Sequence, residues 1–405
     1  MQRTFTVVSA MAAGLLLAGA VATATHASPD HATRTAALDS NWYAAAPYLM
    51  PASNNPPDPA AIMDATGQKA FQLAFILSGG GCTPAWDGTT PMDQATSIQG
   101  AIDTIRGKGG DVSVSVGGYG GTKLGQTCSD AGSTAAAYQQ VIDHYGLHAM
   151  DFDLEEPEYE DSAAIGRELG AAKILQQNNP GLYLSVTLPG TPAGTGWFGT
   201  QLLDQAKSIG FTPSNFSIMP FDNGFNGASS QVSALEGFHG LLQQHMGWDA
   251  DYAYQHEGFS GMNGRTDAAE YFRQADFQTV LDYALSHHLG RYTYWSVNRD
   301  RECNPPENGQ LSGECSSVAQ QQWEFTGYTT AFANNTSVVD PPTDPTDPPG
   351  DGGCTAAAWN AGTAYVADDE VTYQGHGWKA KWWTQGEAPD ASAQWGPWAD
   401  EGACG

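Results

Sequence analysis

The chain has 405 residues and carries 16 Lys and Arg against 44 Asp and Glu, a formal charge of -28. That length holds one large domain and a smaller one, and so negative a field repels nucleic acid and anionic membranes, which excludes both as partners. Twelve Trp and sixteen Tyr point elsewhere, because flat aromatic faces are what uncharged sugar rings stack on.

The chain opens with a basic start at Arg3, an apolar run around Met11 to Ala20 and small residues ending near Ala24 or Ala27. This is the pattern of a secretory signal peptide, assigned to residues 1–27. No other apolar run approaches the roughly 20 residues of a membrane-spanning helix. The mature chain is therefore expected to be secreted, soluble and monomeric. Six cysteines, at 82, 128, 303, 315, 354 and 404, then read as disulfides of an oxidising compartment. Sequence leaves their connectivity open, and neighbour pairing is the expectation: Cys82 with Cys128, Cys303 with Cys315, Cys354 with Cys404. With no C-x-x-C and no close Cys/His grouping, neither a metal nor a cofactor is expected.

Residues 39–334 alternate short apolar runs with longer amphipathic ones. The candidate strands are NWYAAAPYLM, AFQLAFIL, DVSVSVGG, AMDFDLE, LYLSVTLPG, FSIMPFD, EGFSGMN and RYTYWSVN. Stretches such as SAAIGRELGAAKILQQN and DFQTVLDYALSHH between them read as helices. Eight such cycles over a span near the ~250 residues of that fold predict an α/β (β/α)8 TIM barrel. The alternative, a doubly wound open sheet, more often has a Gly-rich phosphate loop after its first strand, and none is present. Residues 335–353, PPTDPTDPPGDGG within them, cannot build a core and read as an extended spacer. Residues 354–405 form a compact tail closed by its own two cysteines.

In LHAMDFDLEEPEYED, three acids fall at Asp151, Asp153 and Glu155 with Phe152 and Leu154 between them. Side chains alternate along a strand, so the acids share the face turned into the barrel top and the apolar pair faces the helices. Same-face neighbours lie about 6.6 Å apart along the strand. Like charges raise one another's pKa, and a Glu held protonated at a cleft rim is a general acid for a leaving oxygen. A cation site or a hydrated acidic edge is the bland alternative, and the apolar opposite face argues against both.

MDFDLEE resembles the D-x-x-D-x-D-x-E signature of glycoside hydrolase family 18, the chitinases, with its last three acids at Asp151, Asp153 and Glu155. Other landmarks follow in family order: SVGG from Ser115 to Gly118, MPFD from Met219 to Asp222, and YWSVNRDREC with Trp295. The resemblance implies a retaining mechanism in which the substrate's N-acetyl carbonyl attacks the anomeric carbon, so that no enzyme nucleophile is needed. Glu155 would protonate the glycosidic oxygen and then activate water. Asp153 would hold the acetamido N–H, Asp151 would share its proton with Asp153, and Trp295 would floor the site. Ser115, Met219 and Asp222 would line the cleft.

Two departures stand out. His148 and Ala149 replace the signature's first Asp and its usual Gly. The family's M-x-Y-D reads Met219-Pro220-Phe221-Asp222, so the Tyr hydroxyl that steadies the acetamido group is missing. Tyr119 or Tyr48 would supply the substitute, since an inward Trp295 turns Tyr292 and Tyr294 away. GFSGMNGR is expected to bring Met262 and Asn263 to the cleft, although its glycines equally suit a tight loop.

The tail holds six Trp, at 359, 378, 382, 383, 395 and 398, more than so small a unit can bury. Its AKWWTQGE core resembles family 5/12 carbohydrate-binding modules, small β-rich domains, which implies a β-rich tail in which Trp382 and Trp383, with Tyr365, present rings to a polysaccharide; the alternative places one of the Trp pair in the core. The resulting expectation is a secreted chitinase acting on chitin and chito-oligosaccharides. The rival readings are a non-catalytic chitin-binding lectin on the same barrel, which Phe221 favours and Glu155 opposes, and an endo-β-N-acetylglucosaminidase acting on N-linked glycans, which the polymer-binding tail opposes. A cellulase is opposed by the N-acetyl group that Asp153 and Glu155 require.

Overall fold

The computed structural model describes residues 36–336 together with 356, 359, 363–367, 369–373, 376–389 and 396–403. The expected signal peptide, most of the spacer, and Cys354 and Cys404 lie outside the described residues. The chain divides into two compact units, Met1–Val338 and Val339–Gly405.

The first unit is built on eight parallel strands: β1 (Tyr48–Leu49), β2 (Ala70–Ser78), β3 (Asp111–Gly117), β4 (Ala149–Asp153), β5 (Tyr183–Pro189), β6 (Asn215–Met219), β7 (Glu257–Met262) and β8 (Arg291–Trp295). Each pairs with the next from β1 to β8. Between β8 and β1 side chains bridge the seam: Thr293 Oγ1 donates to the Ala46 carbonyl at 2.6 Å, and Asn298 exchanges hydrogen bonds with the backbone of Met50. The result is a nearly closed (β/α)8 barrel, as the alternation of elements predicts. Among the described residues no helix is long and apolar enough to cross a membrane.

Helices pack outside the barrel for reasons visible in the sequence. The Ser162–Asn178 helix starts where the Asp161 carboxylate accepts the Ala163 and Ala164 N–H groups, a cap whose loss costs about 1 kcal/mol. It buries Ile165, Leu169, Ala172 and Leu175, one stripe at helical spacing, against the sheet. Each buried Leu contributes roughly 1.5–3 kcal/mol, so a charge at Leu169 would undo the docking.

The first strand is shorter than expected. In NWYAAAPYLM, Ser40–Ala44 is a helix and only Tyr48–Leu49 pairs. Trp42, Tyr43, Ala45 and Ala46 instead pack together with Ala70, Ala149 and Ala333, and the Tyr43 hydroxyl donates to Asp111 at 2.7 Å. The apolar run thus serves a packed plug, where tertiary burial outweighs local β preference.

The expected pairs Cys82–Cys128 and Cys303–Cys315 are formed. In the second unit, Glu370–Tyr373, His376–Ala380 and Trp398–Ala403 form an antiparallel sheet, with Ala364–Tyr365 pairing Thr384–Gln385. Tyr365, Val371, Trp378, Ala380 and Trp398 make its small core.

Candidate active site

The barrel interior stacks in layers set by strand register. Ser115 lies level with Asp151, which lies level with Ser185, and Gly117 with Asp153 and Thr187. Phe152, on the other face of β4, meets Tyr138 edge-on at 5.3 Å in the helix layer. At the rim the two strands are locked, because Gly118 N–H donates to the Asp153 carbonyl at 2.8 Å. Gly117 has φ +102 there, and a Cβ would fall 2.0 Å from that carbonyl, so only glycine fits.

Above this layer opens a cavity of about 690 Å³ whose lining includes Asp153, Glu155, Tyr48, Phe75, Tyr119, Met219, Phe221, Asp222, Met262 and Trp295. Trp295 forms a wall of the cavity, stacked on Phe75 with ring centres 5.5 Å apart and met edge-on by Tyr48 at 5.7 Å. A second cavity of about 620 Å³, lined by Tyr183, Ser214, Gln255, His288 and others, has no carboxylate. The acids therefore identify the first as the reactive one.

Asp151 sits below the cavity, fully buried, and its two oxygens accept from six donors. These are Tyr48, Gln72 and Ser115 on one oxygen and Ser185, Thr187 and Arg291 on the other, at 2.6–3.1 Å. The Arg291 guanidinium is itself buried, 2.8 Å from the Asp151 carboxylate, and also donates to Gln72. This departs from the expected proton sharing: among the described residues no hydrogen bond joins the Asp151 and Asp153 carboxyls. Six donors, one of them a permanent cation, thus occupy both oxygens of this carboxyl.

Asp153 and Glu155 have the opposite surroundings. Asp153 is buried with Oδ1 lacking any hydrogen-bond partner. Burial first, then the charges of Glu155 and Asp151, push its carboxyl well above the ordinary range, with Arg291 opposing. Glu155 is pushed up to about 7, chiefly by burial and also by Glu156, Asp267 and Asp222, while Lys123 pulls it down. A Glu with that value is protonated in weakly acidic water and able to donate. Just behind the rim, Gly125 N–H and the Tyr138 hydroxyl donate to Glu168 Oε1. Burial and the neighbouring Glu168 push Glu158 up to about 10.

Other expected residues are placed differently. Ser115 does not line the cavity, because its hydroxyl faces Asp151. Asn263 is buried, its side-chain oxygen accepting from Ser296 N–H and Arg299 Nε; Met262 takes the inward position and alternation sends Asn263 the other way. The Tyr48 hydroxyl is committed to Asp151, whereas Tyr119 is 75% exposed at the mouth. Tyr292 and Tyr294 point into the helix layer, their hydroxyls bonded to the Phe277 carbonyl and to Asp300. Asp222, at φ +61, accepts the Ala268 N–H. In the second unit Trp382 and Trp383 are both exposed, so neither belongs to the core. Tyr365 does instead, packed against Trp398 at 5.2 Å, which removes it from the expected ring surface.

Arg291, Phe75, Lys123 and Asp267 were not anticipated. Arg291 was legible in principle, four residues before Trp295 on the same face of β8. Phe75 was not, because a register shift between Leu73 and Ile76 breaks the alternation that would turn it outward. Among the described residues no group of three or more His, Cys, Asp or Glu is arranged to hold a metal.

Fold and acid row together define a (β/α)8 barrel with carboxyls at the C-terminal ends of its strands. Residues 358–399 match the model of carbohydrate-binding module family 5/12. The chain is 28% identical over 309 residues to a probable bifunctional chitinase/lysozyme of Escherichia coli, covering 71% of this chain and 34% of that protein. It is 26% identical over 278 residues to endochitinase 11 of Metarhizium anisopliae, covering 63% and 52%. The chain thus spans about a third and about half of these curated relatives. In structure it is similar to the catalytic domain of a hyperthermophilic chitinase from Pyrococcus furiosus, with TM-score 0.65 and 25% identity over 73% of this chain and 96% of that one. These likenesses to chitinases accord with the resemblance read from the sequence, and residues 358–399 with the family 5/12 module expected there.

Proposed function

We propose that the protein is a secreted chitinase that hydrolyses β-1,4-linked N-acetylglucosamine polymer by a retaining, substrate-assisted mechanism. The observation that carries this reading is the pairing at the cavity wall of a protonatable Glu155 with an Asp153 oxygen that has no protein partner. Such an oxygen suits an acetamido N–H, the group that distinguishes chitin from cellulose.

The sugar at the cleavage site packs on Trp295, which Phe75 backs. Asp153 accepts the acetamido N–H, which turns the N-acetyl carbonyl oxygen toward the anomeric carbon. Glu155 gives its proton to the glycosidic oxygen as that bond breaks and the carbonyl oxygen bonds to the anomeric carbon. The resulting oxazolinium is steadied by the Asp153 oxygen that accepts its N–H. Glu155, now ionised, takes a proton from water, whose oxygen attacks the anomeric carbon and opens the ring. The stereochemistry is retained because the carbon is attacked twice. Exposed Trp382 and Trp383 hold the polymer and raise its local concentration.

The test is hydrolysis of colloidal chitin and chitotetraose by wild type and Glu155→Gln, with product anomers followed by NMR. Early β-anomer release that the substitution abolishes supports the reading. Chitin retention without hydrolysis by wild type would replace it with the lectin reading, which the Phe at 221 favours.

A further inference from the structure

Lys123 is buried, 1% exposed, in the loop after β3. Its ammonium donates to three backbone carbonyls: Tyr119 at 2.9 Å, Gly121 at 3.3 Å and Glu156 at 3.5 Å. Two of these belong to the loop that brings Tyr119 to the cavity mouth, and the third follows Glu155 directly in the chain. A buried ammonium whose hydrogen bonds go to neutral carbonyl oxygens is not tied to one carboxylate, so its charge acts on all the carboxyls around it.

We propose that Lys123 is a positioning residue for the reaction: its ammonium ties the rim carrying Glu155 to the loop carrying Tyr119 and sets a positive charge beside the catalytic carboxyl. The inference rests on Glu155 as the general acid. The groups facing this region are mostly acidic: Asp151 and Asp153 on β4, Glu156 and Glu158 on the rim, Glu168 on the helix behind, Asp222 after β6 and Asp267 after β7. The other cations bear on them less directly. Arg291 is paired with Asp151, Arg167 acts on Glu168, and Arg299 acts on Asp267 and Asp222. Lys123 therefore opposes the burial and like-charge repulsion that hold a proton on Glu155, and it leaves the acid poised close to neutrality. The same ammonium is pulled below its ordinary range by its own burial, with Glu158, Glu155 and Asp153 supporting its charge.

The test is the pH profile of kcat/KM on chitotetraose for wild type, Lys123→Gln, Lys123→Met and Lys123→Arg, with thermal melts verifying the fold of each. The alkaline limb of that profile reports the proton on the free enzyme's acid. Gln keeps donors for the carbonyls and loses the charge, Met loses both, and Arg keeps the charge. Removing a cation favours the protonated carboxyl, so the alkaline limb moves up by about one pH unit in the Gln and Met variants and stays put in Arg. Met alone also loses rate at every pH, because the carbonyl clamp is gone. A folded Lys123→Gln with the wild-type limb overturns the proposal, and so does a limb that shifts equally in Lys123→Arg. Should Lys123→Met fail to fold, Gln against Arg carries the test. Failure of the underlying reading shows separately, as a Glu155→Gln variant that keeps its activity.

Discussion

The barrel cleft and the tail module both use tryptophan, and they expose it differently. Trp295 is partly buried and backed by Phe75 and Tyr48 above a row of acids. Trp382 and Trp383 stand 48% and 62% exposed on a module whose described residues form one small sheet and one short strand pair. An enclosed ring fixes one sugar against groups that must meet it to within tenths of an ångström. A pair of open rings gains contact with a surface and needs no such register. Among its described residues Tyr365, Val371, Trp378, Ala380 and Trp398 form the small core, and Trp382 and Trp383 lie outside it.

This contrast breaks most sharply at Glu155. Glu155→Gln is expected to cost about 10²–10⁴-fold in kcat or more while retention on colloidal chitin is unchanged; parallel loss of retention would mean that the cleft and the module do not divide the work. For the wild type, kcat/KM should fall as pH rises through about 7, where Glu155 gives up the proton it must donate. A rate that continues to rise above that point would remove Glu155 from the acid's role.

Next in size is Arg291→Met, which leaves the Asp151 carboxylate buried without its cation. Unfolding in urea should show about 3–5 kcal/mol of lost stability. Adding Asp151→Asn should recover much of it, because the stranded charge is then gone. No recovery would mean that Arg291 acts by packing alone.

Glu158→Gln sharpens the comparison through stability. Burial raises Glu158 from its ordinary 4.5 to about 10, so its stabilising proton is fully present below about 4.5 and is lost as pH rises through the folded value. The wild type should therefore melt progressively lower as pH is raised from 5 to 9, and the Gln variant should melt higher than wild type at pH 9. Identical melting curves at pH 9 would show Glu158 to be solvated. The smallest effect belongs to the module. Trp383→Ala, or Trp382→Ala, should weaken retention on colloidal chitin by about 1–3 kcal/mol at most, the order of a lost ring contact, and leave chitotetraose hydrolysis unchanged.

Asp151, Asp153 and Glu155 were legible because a strand has a period of two, and that period alone places them on one face. The same logic excluded Tyr292 and Tyr294, whereas Trp295 and Met219 were read from the family resemblance. It failed where alternation breaks or where a partner comes from a distant strand. Phe75 turns inward at a register irregularity, and Arg291 reaches Asp151 across 140 positions.

By itself the sequence determined the alternation of strands and helices, the acid row and the aromatic richness of the tail. All of these rest on local periodicity or short spacing. Only the tertiary structure decided which acids are neutralised and which stay poised. Asp151 is surrounded by donors from five other strands, while Asp153 keeps an oxygen free and Glu155 is shaped by Lys123 and by acids from three loops. Protonation depends on burial and on charges brought together from far along the chain, and barrel closure, not sequence adjacency, fixes both.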